Sequence, residues 1–252
     1  MDIPDLKFAK VDCAPDELPH VSICIPCYQR RRFIPLIISN IVNLDYPKNK
    51  LELVILQDGP EDLFISKDRY DAFKDAIGIK FKYKYEKDIR RTIGEKRNKL
   101  VKMASHKICA MMDSDDIYMS SYIKYSVSAL KQYKAGATSS ACMLFVYPKE
   151  DFKMSAIKCG YKHQMHEACA VFTKKYHKQI GGFAKTSQGE GITFFQNVDN
   201  QMVNLDISKL MVCVCHDGNT IPKGQFSEVN EDYAEFCDNS LKKLLLSIVN
   251  DT

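Results

Sequence analysis

The chain has 252 residues, of which 45% are hydrophobic and 27% charged, and its formal net charge is +4. This composition is that of an ordinary soluble globular protein, and a chain of this length can bury one substantial core. The positive charge is small and mostly scattered, which gives no reason to expect a nucleic-acid partner. No apolar run reaches the roughly 18 residues that a membrane span needs. We therefore expect a single elaborated α/β domain.

The ten cysteines are expected to be reduced. The first five residues are acidic and lack the apolar core of a signal peptide, which favours a cytoplasmic location. Cys24 and Cys27 have the spacing of a redox motif or of zinc ligands, but Cys24 falls inside an apolar run that predicts a buried strand. Cys213 and Cys215 alternate along another predicted strand, and no second Cys-x-x-Cys motif completes a zinc site.

Apolar runs alternate with helical repeats over the first half of the chain. The runs predict strands at Val21–Pro26, Leu51–Leu56, Ile79–Tyr85 and Ile108–Met112, and the repeats predict helices from Arg31, at Lys67–Ile77 and from Ile93. The third strand is the most amphipathic, so we expect it near the sheet edge. The alternation predicts a doubly wound, mostly parallel sheet.

The second half has a different pattern. It predicts a helix at Tyr118–Tyr133, strands at Ala141–Tyr147, Phe152–Lys158, Glu167–Phe172 and Leu210–Cys215, short helices before Gly181 and after Gly189, and a closing helix at Leu241–Val249. Because several of these strands follow one another without long helices between them, we expect a mixed, partly antiparallel arrangement.

Three carboxylates, Asp113, Asp115 and Asp116, follow the apolar run that starts at Ile108. The carboxyl ends of strands are where open α/β sheets bind ligands. Carboxylates packed this closely repel one another, and a divalent ion such as Mg²⁺ or Mn²⁺ would relieve the repulsion. The alternative is that Ser114 and Asp115 only cap the next helix and that Asp116 is the acid that starts it.

Five motifs in order resemble those of glycosyltransferase family 2, whose members have the GT-A fold. The similar segments are Val21–Arg30, Leu56-Gln57-Asp58-Gly59, Gly94-Glu95-Lys96-Arg97-Asn98, Met112-Asp113-Ser114-Asp115-Asp116, and Ile180-Gly181-Gly182-Phe183 followed by Gly189-Glu190. The resemblance implies a single GT-A domain over residues 1–252. This domain would consist of a nucleotide-binding half at about 20–117, an acceptor-side half at about 118–220, and a flap and helix at 221–252.

The resemblance also implies an inverting, metal-dependent enzyme that moves a sugar from a nucleotide diphosphate sugar, a UDP-sugar in our prediction, to a hydroxyl of a glycan or other acceptor. Pro26 and Tyr28 would contact the base. Asp58 would accept a hydrogen bond from uracil or ribose, and Asp113 would hold the ribose or assist the metal. Asp115 would bind the cation, Mn²⁺ or Mg²⁺, that stabilises the departing diphosphate.

The resemblance leaves a choice among arginines for the phosphate. Arg97, or alternatively Arg90 or Arg91, would neutralise phosphate or orient the aspartates. The alternative for each arginine is a solvated helix face.

Glu190 is the candidate base, because an inverting reaction needs a carboxylate to take the acceptor's proton. The family usually has Glu-Asp at this point, whereas Gly191 stands in place of the aspartate here. Glu190 would then bind the sugar while Glu167 or Asp199 acts, or it would serve only as a helix-start acid.

The resemblance to GT-A enzymes with a late histidine ligand makes His216 a second candidate for the metal. A loop histidine without a ligand role is the alternative. His163 and His166 are expected near the acceptor or on the surface. Residues Asn219–Gln225 are a candidate flap over the diphosphate.

Two other kinds of function remain open from the sequence. A sugar-phosphate nucleotidyltransferase also uses a metal and an α/β sheet, but it would want a glycine-rich loop after the first strand, where Cys27–Arg32 contains no glycine. A sugar- or nucleotide-binding module without a catalytic base would be consistent with Gly191.

Overall fold

The computed structural model describes residues 8–12, 17–158, 165–196, 201–219, 226 and 239–250. The strands are β1 Val21–Tyr28, β2 Leu51–Gly59, β3 Lys80–Lys87, β4 Ile108–Met111, β5 Ile117–Tyr118, β6 Ala137–Ser139, β7 Cys142–Tyr147, β8 Lys153–Lys158, β9 Val171–Thr173, β10 Met202–Asn204 and β11 Met211–Val214. The helices are α1 Ile34–Val42, α2 Lys67–Ile77, α3 Ile93–Met103, α4 Tyr122–Gln132, α5 Lys174–Gln179, α6 Ile192–Gln196 and α7 Asn239–Asn250. Over these ranges, every helix is too short or too polar to cross a bilayer.

Within the described part of the chain, the strands form one sheet of seven and one of four. The large sheet has the order β10-β6-β9-β4-β1-β2-β3, and its four strands from β4 to β3 are parallel. Strand β9 runs antiparallel to both β4 and β6. The small sheet has the order β5-β11-β7-β8 and is mixed. The predicted α/β architecture, mostly parallel at first and mixed later, is confirmed.

The large sheet is covered on both faces, as a doubly wound sheet must be. Ile23 and Ile25 of β1 belong to one apolar cluster, which includes Ile37 of α1. Cys24 points the other way and belongs to a second cluster with Leu100 of α3. Because successive side chains of a strand alternate between faces, the continuous apolar run of β1 supplies both cores.

The cysteines of this region are part of that packing. Cys24 and Cys27 are buried, and burial raises the pKa of the Cys27 thiol to about 12. No cysteine among the described residues forms a disulfide. The reduced, packed state expected for Cys24 and Cys27 agrees with this environment.

The order of the strands places a crevice at the centre of the large sheet. The chain passes from β1 through α1 to β2, then through α2 to β3 at the sheet edge, as predicted for that strand. It then returns through α3 to β4 on the other side of β1. The carboxyl ends of β1 and β4 therefore flank a topological switch point, where such sheets bind ligands.

Two predictions for the second half need correction, and two short strands are missing from the prediction. The helix predicted at Tyr118–Tyr133 is a short strand, β5, followed by α4, because Ile117 and Tyr118 pair with β11 instead. The strand predicted from Glu167 begins at Val171, after a 3₁₀ turn at Glu167–Cys169. Strands β6 and β10 were not predicted, since each has only three residues and pairs with distant strands.

Candidate active site

A cavity of about 340 Å³ opens at the carboxyl ends of β1 and β4, which is a volume typical of ligand sites. The predicted site residues in its wall are Pro26, Tyr28, Arg97, Asp113, Asp115 and Glu190. Part of the remaining wall is apolar and comes from Met143, Phe145 and Ile157 of the small sheet. Of the other predicted site residues, His216 contacts Asp115, while Asp58 is fully buried.

Asp115 and His216 meet at the cavity, although 101 positions separate them in the chain. The Nε2 atom of His216 lies 3.1 Å from Oδ2 of Asp115. Oδ2 also lies 3.1 Å from Nη2 of Arg30. The amide of Gly218 donates a hydrogen bond to Nδ1 of His216, and the ring packs at 4.8 Å from the ring of Phe33. The imidazole is therefore held in position from two sides.

The donor chemistry of this pair fits a divalent cation. A carboxylate oxygen and an imidazole nitrogen are ligands for Mn²⁺, and Mg²⁺ sites commonly use one or two protein ligands with phosphate oxygens and water for the rest. No third histidine, cysteine, aspartate or glutamate completes a cluster within the described ranges. A cation at Nε2 would use the lone pair of that nitrogen, so the neutral ring would carry its proton on Nδ1 and the hydrogen bond from the Gly218 amide would have to break.

Asp116 has a structural role. Its Oδ1 accepts a hydrogen bond of 2.9 Å from the amide of Val214, and its carbonyl accepts one from Asn40. Since α4 begins at Tyr122, after Ser121, neither Asp116 nor Asp115 starts or caps that helix. The helix-start interpretation is wrong for both residues, because β5 intervenes and Asp116 instead ties the acidic loop to β11.

Arg97 joins two carboxylates that come from different parts of the chain. Its Nη2 lies 3.0 Å from Oδ1 of Asp113, and its Nε lies 3.2 Å from Oε1 of Glu190. The side chain is buried, and Nη1 has no hydrogen-bond partner among the described residues. Burial lowers the pKa of the guanidinium, but Asp113 and Glu190 outweigh that effect and raise it. Arg97 therefore stays charged in the floor of the cavity.

The capped N-terminus of helix α3 and the close packing of this helix fix the position of Arg97. Thr92 and Glu95 form a capping box that fixes where the helix starts. A Cβ atom on Gly94 would lie 1.7 Å from the carbonyl oxygen of Ala184, so only glycine permits this approach. Asn98 accepts a hydrogen bond from the amide of Phe183 and donates one to its carbonyl. The Gly-x-x-Arg-Asn and Gly-Gly-Phe motifs are thus in direct contact.

The residues predicted to contact the nucleotide are arranged around Tyr28. The guanidinium carbon of Arg90 lies 3.4 Å from the centre of the Tyr28 ring. Asp58 lies beneath, where Oδ1 is 2.8 Å from Nζ of Lys96 and Oδ2 accepts a hydrogen bond of 2.7 Å from the amide of Arg91. Because Asp58 is fully buried, contact with a base would require the Arg90–Arg91 segment to move. Its base contact stays a prediction.

Glu190 and Glu167 form a pair of carboxyl groups in the cavity wall. The amide of Gly191 donates a hydrogen bond of 3.0 Å to Oε1 of Glu167. Burial and the nearby charge of Glu190 raise the pKa of Glu167 to about 7, although Arg97 opposes the shift. A carboxyl group with this pKa exchanges its proton near neutral pH.

His166 lines the cavity beside Glu167, with Nε2 at 3.1 Å from the sulfur of Cys213. It is buried, so the alternative that placed it on the surface is wrong for this residue. His163, Asp199 and, apart from Asn219, the flap segment Asn219–Gln225 lie outside the described residues. Asn219 itself lines the cavity, and its Nδ2 lies 3.0 Å from Nε2 of His216.

Sequence reasoning assigned no site role to Arg30 or Lys96. Both are in the motif segments, but an arginine after a strand and a lysine in a helix are ordinarily solvated, so neither carried a distinct signal. Their positions are decided by contacts with Asp115 and Asp58, which lie far from Arg30 and Lys96 along the chain.

Comparison with known proteins agrees with the fold described above. Residues 22–168 match the model of Glycosyl transferase family 2. A comparison of the sequence with curated proteins found no match.

Two solved structures illustrate the similarity of the fold. The mannosyltransferase PcManGT from Pyrobaculum calidifontis, in complex with GDP-Man and Mn²⁺, is 20% identical with a TM-score of 0.61, over 86% of this chain and 62% of that chain. S. aureus TarS 1–349, in complex with UDP-GlcNAc, is 16% identical with a TM-score of 0.61, over 92% of this chain and 72% of that chain. The present chain thus spans less than two thirds of the mannosyltransferase. These identities show a shared fold alone, but the family model covers more than half of the sequence, and the chain belongs to glycosyl transferase family 2.

Proposed function

We propose that the chain is a metal-dependent, inverting glycosyltransferase that moves a sugar from a UDP-sugar to a hydroxyl group of a glycan or other acceptor. The observation that carries the proposal is that one cavity is lined by Asp115, which contacts His216, and by the pair Glu167 and Glu190. The first pair suits a divalent cation that binds a diphosphate, and the second suits removal of a hydroxyl proton. Membership of the family supports the same reaction class.

On the donor side, Asp115 and His216 would hold Mn²⁺ or Mg²⁺. The bound cation supplies positive charge that stabilises the nucleoside diphosphate as it leaves. Arg30 contacts the same carboxylate and adds charge at this point. Arg97 keeps Asp113 oriented and has a buried Nη1 donor still available for a ligand. These groups make the region electrostatically suited to a polyanion.

The nucleoside would lie along Pro26 and Tyr28, with its ribose toward Asp113. Arg90 already stacks on Tyr28, so a base would either replace the guanidinium or stack on its outer face. The UDP-GlcNAc complex of TarS supports uridine as the base, whereas GDP-Man in the mannosyltransferase makes guanosine the alternative to test.

In the proposed reaction the acceptor oxygen attacks the anomeric carbon from the face opposite the diphosphate. The bond from that carbon to the diphosphate oxygen breaks, and the diphosphate leaves with the electron pair. A carboxylate takes the hydroxyl proton as the new bond forms. Glu190 is the base that the family resemblance designates, and Glu167 lies next to it. A single displacement of this kind inverts the anomeric configuration.

The test is to incubate the protein with UDP-glucose, UDP-galactose, UDP-N-acetylglucosamine and GDP-mannose, each with Mn²⁺, Mg²⁺ or EDTA, and to measure release of nucleoside diphosphate. We expect slow release from a UDP-sugar that EDTA abolishes, with NMR showing a product of inverted anomeric configuration. Release of pyrophosphate from UTP and a sugar phosphate would instead identify a nucleotidyltransferase. Binding of the donor without any turnover would identify a binding module.

A further inference from the structure

The space beside Gly191 is filled by the side chain of Glu167. A Cβ atom built on Gly191 would lie 2.2 Å from Cγ and 2.4 Å from Oε1 of Glu167. Contacts this short do not occur between unbonded atoms, so a side chain at position 191 and the present position of Glu167 exclude each other. The family usually has an aspartate at this point. In this chain, the carboxyl group beside position 191 belongs to Glu167, from a different part of the sequence.

Several hydrogen bonds hold Glu167 there. The Gly191 amide donates to Oε1 at 3.0 Å, and the Ala170 amide closes the 3₁₀ turn by donating to the Glu167 carbonyl. The hydroxyl of Tyr118 donates to the carbonyl of Ala168 and accepts a hydrogen bond from the amide of Asp113. The turn is therefore tied both to the 191 backbone and to the acidic loop after β4.

The two glutamates of the pair have different partners. Glu190 receives a hydrogen bond from the Arg97 guanidinium, which also contacts Asp113. The hydrogen bond to the Glu167 carboxyl comes from a neutral amide. The charged groups with the largest effect on the pKa of Glu167 are Glu190, from the segment that precedes α6, and Arg97, from α3. Among the described residues, Glu190 is thus held by a guanidinium, whereas the carboxyl group of Glu167 is held by a backbone amide.

We propose that Glu167 is the general base of this enzyme in place of the family's aspartate, and that Glu190 with Arg97 positions it; this inference rests on the proposed transferase function. As the acceptor oxygen forms its bond to the anomeric carbon and the diphosphate departs with its electron pair, the hydroxyl proton passes to the Glu167 carboxylate. The pKa of about 7 suits this step, because a base works best when its pKa lies near the working pH.

The test compares Glu167→Gln, Glu190→Gln and, as a matched control at an exposed position, Glu150→Gln. The readout is Mn²⁺-dependent release of UDP from UDP-sugars, with UDP affinity measured by calorimetry. We expect Glu167→Gln to lower kcat by about 10²–10⁴-fold with nearly unchanged UDP affinity, as loss of a general base does. The control should match the wild type. An unchanged kcat for Glu167→Gln would overturn the assignment.

A rescue experiment separates catalysis from structure. Glu167→Ala should lose turnover and also remove the atoms that a side chain at position 191 would contact. Adding Gly191→Asp in that background returns a carboxyl group to the same space, and we expect kcat to recover by at least tenfold. Gly191→Asp alone should impair the protein, because Glu167 still fills the space. Failure of the rescue in a folded double variant would contradict the proposal.

The pH profile gives a third readout. Wild-type kcat should fall as the pH drops below about 7, where the base becomes protonated. Glu190→Gln removes the neighbouring negative charge, so the pKa of Glu167 should fall and this acidic limb should move to lower pH. If Glu190→Gln left the acidic limb of the profile at the same pH, the proposed effect of Glu190 on the pKa of Glu167 would be wrong. If the wild type released no nucleoside diphosphate from any sugar donor, the transferase function itself would fail, and the base assignment with it.

Discussion

The carboxylates on the two sides of the cavity have different partners. On the side that we propose binds the donor, formed by the ends of β1, β2 and β4, three aspartates each contact a cation. These pairs are Asp58 with Lys96, Asp113 with Arg97, and Asp115 with Arg30. On the side that we propose binds the acceptor, formed by the Glu167 turn and residues 189–191, Arg97 contacts Glu190. Within the described residues, Glu167 forms no ion pair, and a neutral amide is its hydrogen-bond donor.

This difference in partners suits the role that we propose for each side. A site for a diphosphate needs cations, and paired aspartates position those cations without removing them. A site for a hydroxyl proton needs a carboxylate that is not permanently neutralised by a cation. Arg97 contacts carboxylates of both sides, and Gly94 lets its helix reach the acceptor side. Substitutions at these points test whether the two sides are separate or coupled.

Arg97→Met should have the largest effect, because it leaves Asp113 and Glu190 without their shared cation. We expect the free energy of unfolding to fall by about 3–5 kcal/mol, the range for breaking a buried ion pair. Urea denaturation measures this change, with Arg69→Met on the exposed surface of α2 as the control. Adding Glu190→Gln to Arg97→Met should recover part of the loss. A variant as stable as the control would show that the two sides do not depend on Arg97.

Asp115→Ala should disable the donor side and leave the fold intact. We expect the affinity for UDP in the presence of Mn²⁺ to fall by at least about 100-fold, since even partners of metal ligands are worth up to this much. Calorimetry with and without EDTA gives the measurement. Asp45→Ala, which removes an exposed carboxylate paired with Lys124, is the matched control. Binding that keeps its original affinity and metal requirement would exclude Asp115 as a ligand.

Gly94→Ala should have the smallest of the three effects, because it changes only the contact between the two sides. The added Cβ would meet the carbonyl of Ala184 at 1.7 Å, so α3 or the 184–190 segment must shift. We expect a loss of about 1–3 kcal/mol, typical of overpacking, together with reduced turnover. Gly78→Ala is the control, because Gly78 has φ +61 and open space around it. That control should lose about 1–2 kcal/mol, the cost of an alanine in the left-handed region, while turnover per folded molecule stays unchanged. Equal turnover in both variants would mean that the two sides act independently.

The sequence predicted the donor side better than the acceptor side. The runs at Val21, Leu51 and Ile108 are long, apolar and parallel, so their carboxyl ends had to meet at one edge of the sheet. The aspartates that follow them could be placed there without knowing any distant contact. The same reasoning could not show that Asp58 would be fully covered by the Arg91 segment, because that depends on how a loop folds back.

The acceptor side depended on contacts between distant parts of the chain. The helix expected from Tyr118 gave way to β5 because β11, almost a hundred residues later, pairs with it. Glu167 was expected in a strand and lies instead in a turn beside Gly191. Local periodicity carries no information about such pairings, and short strands such as β6 have too few residues to show a period.

By itself, the sequence determined the α/β architecture, the family and the position of the acidic loop after β4, because these follow from local patterns and their order. Only the tertiary structure decided how the carboxylates share their partners. Asp116 binds the Val214 amide rather than starting a helix, and Asp115 meets His216 across 101 positions. Glu167 fills the space that Gly191 leaves. The physical reason is that the charge of a side chain is fixed by its residue type, whereas its environment is fixed by whatever the fold packs against it.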